Sequence, residues 1–295
     1  MVSLKEKFDT PESSTKVALT SNILLLILKI YGGFFGGSRA LIADSINSLL
    51  DIIANSAVWI GIKFAKKPAD EGHQYGHGNA DVIAASFVAV IILVTGFYIG
   101  YDSIHIIVDG SYRVPKYYAT AIAAFTILLK AILYKYTIGV GIRYRSPAVH
   151  ANAQDHKADV YASAGALFGI VISQVGYPVL DPIGGIWVSF FILRSAVNLI
   201  RDNIHTLMSG APGKEMVERI SRTTNEIKEV KAVNTSRIRT LGARHFVDLE
   251  ISVDRNLSVF EGHKIAHKVR NILIEKYDDI SDVMVHVEPF MENES

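Results

Sequence analysis

Two pairs of oxygen-bearing side chains recur four residues apart in segments that are otherwise apolar. Asn47 and Asp51 form the first pair, within ADSINSLLDIIANSA, and Asp155 and Asp159 form the second. Residues i and i+4 share one face of a helix, one turn apart. Three carboxylates buried together repel one another unless a cation or protons neutralise them. The spacing therefore predicts a site on two helices that binds a divalent cation when deprotonated and releases it when protonated.

Other roles stay open for the polar residues of these segments. An asparagine in a membrane helix often serves as an interhelical hydrogen-bonding group. Asp155 falls near one end of its segment, where a solvated helix terminus also suits a carboxylate, and Asp44 lies off the face of the first pair, near the outer mouth. Lys29 and Lys130 lie at mid-segment depth, where they either pair with buried carboxylates or extend to the interface; for Lys130 we favour extension.

A polar loop between the second and third apolar segments carries a different set of ligand types. Its sequence, KPADEGHQYGHGNADV, places Asp70, His73 and His77 within eight residues. Imidazole and carboxylate are the usual zinc ligands. A glycine-rich polar loop also collects these residue types by chance, so the loop is a candidate divalent-metal site on composition and spacing alone.

Six stretches approach the length of about 20 mostly apolar residues that a membrane-spanning helix needs. Hydropathy would reject the first half of the fifth stretch, so that helix is expected to face a bundle interior or a water-filled cavity. The polar pairs lie in the second and fifth stretches, which are thus the elements that must position them. The stretches are residues 15–36, 39–65, 80–108, 117–139, 148–175 and 178–200.

Charged residues concentrate after residue 205, where the pattern changes to that of a water-soluble domain. GKEMVERISRTTNEIKEV and SVFEGHKIAHKVRNILIEKY have helical spacing, whereas VNTSRIRTLG, HFVDLEISVD and DVMVHVEPF have strand-like patterns. The order α-β-β-α-β predicts an α+β domain with two helices on one face of a three-stranded sheet. We therefore expect an N-terminal segment (1–14), a six-helix transmembrane domain (15–205) and a C-terminal domain (206–295).

Composition excludes several other classes of protein. The 295 residues include no cysteine, which excludes disulfides and thiolate metal sites, and the formal charge of +1 gives no excess for binding nucleic acid. The polar first 14 residues predict no cleavable signal peptide. Loop charges predict that both termini are cytoplasmic. The positive residues on that side are Lys5, Lys7, Lys63, Lys66, Lys67, Lys135, Arg143 and Arg145.

The motif HQYGHG after PAD, the six apolar stretches and the tail ending VMVHVEP resemble the cation diffusion facilitator family. Its members are homodimeric divalent-metal/proton antiporters, so the resemblance implies a multi-pass plasma-membrane transporter rather than an enzyme. It also implies a metallochaperone-like (ferredoxin-like) tail, no prosthetic group, and a divalent metal as substrate. The implied ligands are Asn47, Asp51, Asp155 and Asp159 for the transport site and Asp70, His73 and His77 for an interfacial loop site.

Departures from the zinc-type pattern of the family concern the choice of ion. Zinc-type members typically carry histidine in the fifth-span pair, where this chain has Asp155, and aspartate or histidine where it has Asn47. An all-oxygen ligand set suits harder ions such as manganese. The resemblance to the manganese-type branch therefore predicts Mn²⁺ as the substrate, with Zn²⁺ or Fe²⁺ as alternatives.

The tail departs from the zinc-type pattern as well. The positions that match its metal ligands are Glu250, His263, His286 and Glu288, while Ser236 stands where a histidine is expected. These positions predict a weaker or different metal site. The Lys-to-Asp charge pair that holds some related dimers together has no counterpart, because Asn79 and Ser209 occupy the matching places.

Two other classes of function use some of the same features. An intramembrane aspartyl protease also pairs two aspartates in membrane helices, but the sequence lacks Gly-x-Gly-Asp, and it lacks the His-Glu-x-x-His of zinc proteases. A metal-gated scaffold would bind ions without moving them. We predict instead a homodimeric efflux transporter in the lipid bilayer that exchanges Mn²⁺ for protons by alternating access.

Overall fold

The structure is a computed structural model that describes residues 10–144, 147–242 and 244–291. Most of the predicted N-terminal segment, with Lys5 and Lys7, lies outside these ranges, as does Arg145. The chain divides into two compact units. One comprises Met1–Ala57 and Phe87–Ile200, and the other comprises Val58–Ser86 and Arg201–Ser295.

Six long helices follow one another through the described part of the chain up to residue 207. Five of them are long and apolar enough to cross a membrane, whereas the fifth in order is long enough but has a polar first half. Both findings match the sequence-based expectation for the membrane bundle. The helices are α1 (Pro11–Gly36), α2 (Arg39–Ala65), α3 (Ala80–Asp109), α4 (Tyr117–Arg143), α5 (Pro147–Gln174) and α6 (Leu180–Leu207).

The boundary between α1 and α2 is set by local hydrogen bonding. Helix α1 ends at Gly37, whose φ of 71° lies in the left-handed region that glycine adopts without strain, and whose N–H donates to Gly33 O. Helix α2 begins where buried Asp181 of α6 accepts Ser38 Oγ–H and Arg39 N–H, each at 2.6 Å. A carboxylate at a helix N-terminus satisfies free N–H groups and complements the helix dipole. The start of α2, and thus the register of Asn47 and Asp51, is fixed by α6.

The membrane helices pack through small and branched residues inside and present large apolar residues outside. Helix α4 packs against both α1 and α5. At Gly36 an added Cβ would come within 2.9 Å of the Ala119 Cβ, so glycine permits the close approach of α1 to α4. Phe34, Phe87 and Val108 are more than 70% exposed. Apolar side chains so exposed on helices of this length suit contact with lipid.

The C-terminal domain has the predicted element order. Strand β2 lies between the other two strands, antiparallel to β1 and parallel to β3. This order confirms the predicted α-β-β-α-β domain. Its elements are α7 (Lys214–Asn225), β1 (Ala232–Leu241), β2 (Arg244–Val253), α8 (Val259–Lys276) and β3 (Ile280–Pro289).

One face of the C-terminal sheet carries the core of the domain. Leu249 and Ile251 alternate along β2 and are buried with Val269 and Leu273 of α8 and with residues of α7. Alternate side chains of a strand point to opposite faces, which explains the single apolar face. Helix α8 begins with a capping box, in which Ser258 and Glu261 bond each other's backbone N–H groups.

Candidate metal centres

The two polar pairs lie on α2 and α5, and the structure brings them toward each other. The Asn47 Nδ2 atom donates to Asp159 Oδ1 at 3.3 Å, which joins the two helices. Asp51 lies close enough to Asp159 and Asp155 for their charges to interact. All four residues predicted to form the transport site therefore face one region between α2 and α5.

The carboxylate oxygens of this region are too far apart in this structure to surround one ion. Oxygen ligands lie about 2.0–2.6 Å from a hard divalent cation, so the oxygens around one ion lie within roughly 5 Å of one another. Asp51, Asp155 and Asp159 do not bring one oxygen each within 4.8 Å of the other two. Asp155 is exposed, whereas Asp51 and Asp159 are partly buried. These side chains would have to turn inward to share an ion.

Lys130 on α4 points into the same region. Its Nζ atom lies 2.6 Å from Asp159 Oδ2 and 2.8 Å from Asn22 Oδ1, and the side chain is 1% exposed. The interpretation that Lys130 extends to the membrane interface is wrong, because an ammonium group buried this far from water requires a carboxylate partner. Pairing with a buried carboxylate, the alternative that the sequence left open, is what the structure shows. The available signal was a mid-segment lysine in a bundle with an excess of carboxylates.

A second buried ion pair joins α1, α2 and α5. Lys29 Nζ lies 2.9 Å from Asp44 Oδ2, and both side chains are 1% exposed. Lys29 also donates to Ser48 Oγ at 3.0 Å, and the Ser163 hydroxyl donates to Asp44 Oδ2 at 2.8 Å. The expectation that Asp44 lies near an outer mouth is therefore wrong. Asp44 neutralises Lys29 and ties together the two helices that carry the polar pairs.

The loop between α2 and α3 gathers the three residues predicted as its ligands. Asp70 Oδ1 lies 3.4 Å from His73 Nδ1, and Asp70 Oδ2 lies 3.3 Å from His77 Nε2. Among the described residues, this is the only place where three His, Cys, Asp or Glu ligand atoms lie within 4.8 Å of one another. The site faces solvent, since His73 and Asp70 are more than half exposed. Such a set can hold a zinc-type cation.

Backbone hydrogen bonds position these loop ligands. The Asp70 carboxylate accepts the N–H groups of His73 at 2.7 Å and of Gly72 at 3.0 Å. The bond from the His73 N–H, with the nearby histidines, holds the pKa of the Asp70 carboxyl below its usual value. His77 Nδ1 lies 3.2 Å from Pro68 O, so a neutral ring that donates there leaves its Nε2 lone pair facing Asp70. Metal-binding histidines commonly donate their second N–H in this way.

We expect Zn²⁺ binding at the loop to weaken by at least about tenfold as the pH falls from about 7.5 to about 5.5, because imidazole must be neutral to bind metal. The pKa of the Asp70 carboxyl lies below its ordinary value of 3.8, so the carboxylate is ionised throughout this pH range. Its contribution to Zn²⁺ binding is therefore constant. Asp70→Asn should therefore weaken binding by a similar factor at both pH values. Zn²⁺ binding is measured by calorimetric titration of the full chain. The difference from His77→Ala gives the binding at the loop.

The control for this prediction is Glu71→Gln, which removes a neighbouring exposed carboxylate outside the cluster. This variant should bind Zn²⁺ as the natural chain does. If Asp70→Asn instead changes the steepness of the pH dependence, protonation of Asp70 contributes in this range and the assignment is wrong.

The four positions predicted as tail ligands do not form one tight cluster of ligand atoms within the described chain, although Glu250 and His286 are paired across β2 and β3. His263, His286 and Glu288 line a cavity of about 410 Å³ beside β3, but Glu250 is not part of its lining. Within this group, His286 Nε2 lies 3.7 Å from Glu288 Oε1. A carboxylate oxygen of Glu250 accepts the Thr235 hydroxyl at 2.6 Å. Three of the four positions thus share a cavity, and Glu250 is held on β2 by its neighbour on β1.

Asn79 has a role within the chain that the sequence did not reveal. Its Oδ1 atom accepts the Gly242 N–H at 2.8 Å, at the turn between β1 and β2. Nearby, Tyr75 packs edge-on against Phe246 at 5.6 Å between ring centres, and the Arg239 guanidinium lies over the Tyr75 ring. The α2–α3 loop is therefore bonded to the sheet of the C-terminal domain, and both belong to one compact unit.

Both parts of the chain match domains of known proteins. Residues 15–208 match the cation efflux transmembrane domain, and residues 212–290 match the cytoplasmic domain of cation efflux proteins. The manganese efflux system protein MneP of Bacillus subtilis is 32% identical and covers 94% of this chain and 95% of its own length. The magnetosome protein MamB of Paramagnetospirillum magneticum is 31% identical, with 92% of each chain covered.

A further relative from Bacillus subtilis, the manganese efflux system protein MneS, is 30% identical over 94% of this chain and 95% of its own. The two matched domains follow each other in the order of the membrane helices and the α-β-β-α-β tail. Members of this group are transporters of divalent cations and not enzymes. The chain belongs to the cation diffusion facilitator family.

Proposed function

We propose that this divalent cation efflux transporter carries Mn²⁺ out of the cytoplasm in exchange for protons, as a homodimer in the plasma membrane with both termini cytoplasmic. The ion would be bound between α2 and α5 and exposed to each side in turn by alternating access. No covalent chemistry is required. The proposed ligands are the Asn47 amide oxygen and the carboxylates of Asp51, Asp155 and Asp159.

The observation that carries this proposal is the contact between Asn47 and Asp159 across α2 and α5 at 3.3 Å. This contact joins one member of each pair of oxygen donors and so supports a shared site between the two helices. Polar and ionisable groups at membrane depth are costly and usually serve function. Oxygen donors without imidazole or thiolate suit Mn²⁺ better than they suit softer ions.

Two relatives named as manganese efflux proteins support the choice of ion. MamB is similarly related and its name states no manganese transport, so the similarity alone supports only a divalent cation. Nitrogen and oxygen sites generally bind Zn²⁺ more tightly than Mn²⁺, so Zn²⁺ and Fe²⁺ are the competing substrates. Selectivity for Mn²⁺ must therefore come from ligand type and geometry.

Proton exchange follows from the same carboxylates. A cation and protons compete for the oxygens of Asp51, Asp155 and Asp159, because each neutralises their mutual repulsion. When the site faces a more acidic compartment, protonation lowers its affinity for the cation and favours release. The proton gradient then drives export of the metal.

The test is metal uptake into proteoliposomes that carry a pH gradient, with Mn²⁺, Zn²⁺, Fe²⁺ and Cd²⁺ compared. We expect Mn²⁺ to move in the natural chain and Asp155→His to shift the ratio of Mn²⁺ to Zn²⁺ transport toward Zn²⁺ by at least about tenfold, because one oxygen ligand becomes imidazole. The control is His150→Asn, which removes an exposed imidazole on the same helix outside the proposed site.

Two results would contradict the proposal. If the natural chain transports Zn²⁺ or Fe²⁺ in preference to Mn²⁺, then Mn²⁺ is not the main substrate. An Asp155→His variant that keeps the natural preference would show that this position does not set selectivity.

A further inference from the structure

We infer that the Lys130 ammonium is a fixed countercharge that limits how tightly the transport site holds a divalent cation. The inference rests on the proposed function, because it takes Asp159 to be a ligand of the ion. Lys130 does not bind the cation itself. It lies on α4, outside the two helices that carry the ligands, and acts through its contact with Asp159.

Both carboxylate oxygens of Asp159 are occupied by nitrogen donors. Oδ1 accepts from Asn47 Nδ2 at 3.3 Å, and Oδ2 accepts from Lys130 Nζ at 2.6 Å. An incoming cation must replace at least one of these donors. The Asn47 amide can rotate by half a turn and offer its oxygen to the cation. Lys130 has a second partner, Asn22 Oδ1 at 2.8 Å, on which its ammonium can stay when Asp159 turns away.

The charges of the site show why a lysine in this position matters. Asp51, Asp155 and Asp159 carry three negative charges when ionised, and Lys130 carries one positive charge. Two negative charges are left, the number that one divalent cation balances. An unbalanced charge is costly in a membrane interior. With Lys130 present, the loaded site is neutral; without it, the loaded site keeps one negative charge and attracts the cation more strongly.

Lys29 adds no net countercharge, because the Asp44 carboxylate balances its charge. It is committed to Asp44, at 2.9 Å, and to the hydroxyl of Ser48, and this network contains none of the three carboxylates of the transport site. The two buried lysines therefore have different partners. Lys29 neutralises a carboxylate that is not a proposed ligand, whereas Lys130 contacts one that is.

Loss of the countercharge should tighten binding and slow transport. We expect Lys130→Gln to bind Mn²⁺ at least about tenfold more tightly, about 1.4 kcal/mol, and to lower both KM and kcat because release becomes slower. A lysine that merely held the helices together would give the opposite sign in affinity, since its loss would loosen the ligands. Lys130→Arg keeps the charge and should bind Mn²⁺ less tightly than Lys130→Gln.

The experiment measures the Mn²⁺ dissociation constant of the full chain in detergent by calorimetry, and KM and kcat in proteoliposomes. Lys135→Gln is the matched control, because it removes an exposed lysine from the same helix. Tighter binding with slower turnover in Lys130→Gln, but not in Lys135→Gln, supports the inference. Unchanged or weaker binding by folded Lys130→Gln overturns it.

A second variant keeps the test decisive if Lys130→Gln does not fold. Asn22→Asp retains Lys130 but gives its ammonium a carboxylate partner away from Asp159, so Mn²⁺ binding should again tighten. Unchanged affinity in this variant also overturns the inference.

Asp159→Asn separates the two proposals. If it keeps natural binding and flux, the proposed transport site fails; if it loses both while Lys130→Gln does not tighten binding, only the role of Lys130 fails.

Discussion

Asp159→Asn is expected to lower Mn²⁺ flux in proteoliposomes by at least about a hundredfold. The substitution removes the negative charge of a proposed ligand and also leaves the Lys130 ammonium without its carboxylate, at a site where the two groups lie 2.6 Å apart. Removing one partner of a buried ion pair costs about 3–5 kcal/mol. The first loss weakens the loaded site, and the second destabilises the empty one.

The control for this variant is Asp109→Asn, which neutralises an exposed carboxylate at the end of α3. Size-exclusion profiles and thermal midpoints of both variants show whether the chain still folds. Flux within about threefold of the natural value for folded Asp159→Asn would show that the carboxylate is not a ligand. The paired residues on α2 and α5 would then serve packing.

The second large effect is on stability, at the pair formed by Lys29 and Asp44. We expect Lys29→Met or Asp44→Asn alone to destabilise the protein by about 3–5 kcal/mol, because either leaves an uncompensated charge that is 1% exposed. The double variant Lys29→Met/Asp44→Asn removes both charges. It should recover more than half of the loss, since neutral replacements of a buried ion pair are often tolerated.

The measurement is a double-mutant cycle on the unfolding midpoints of the full chain in detergent. Single losses that simply add in the double variant would contradict direct coupling between the two residues. Arg39→Gln/Asp102→Asn provides a matched comparison, because that ion pair is at least 39% exposed and 3.5 Å long. Exposed pairs contribute about 0–1 kcal/mol, so its variants should change the midpoint little.

Much of the fold follows from the sequence because its signals are local. The second and fifth apolar stretches were expected at 39–65 and 148–175, and the helices span Arg39–Ala65 and Pro147–Gln174. A run of apolar residues long enough to cross a bilayer leaves few alternatives to a helix. The alternating strands and the capping box before α8 are equally local patterns.

The contacts between helices do not follow from local patterns. The four-residue spacing placed Asn47 and Asp51 on one face of α2, but it did not determine which face of α4 turns toward α5. That choice depends on packing of small residues such as Gly36 and Ala119, and it decides that Lys130 meets Asp159. For the same reason the sequence did not determine that three of the four predicted tail residues share a cavity, while Glu250 lies outside its lining.

The polar first half of α5 has a consequence for how the protein enters its membrane. A charged Asp or Lys at a helix centre adds about 2.5–3.5 kcal/mol to the cost of insertion. Asp159 lies near the centre of α5, and Asp155 and Lys157 precede it, so α5 is a poor substrate for insertion on its own. Helix α4 precedes it, packs along it and supplies the Lys130 ammonium to Asp159. We therefore expect α4 and α5 to enter the membrane together, as a hairpin. The Lys130 ammonium that pairs with Asp159 would thereby also lower the cost of inserting α5.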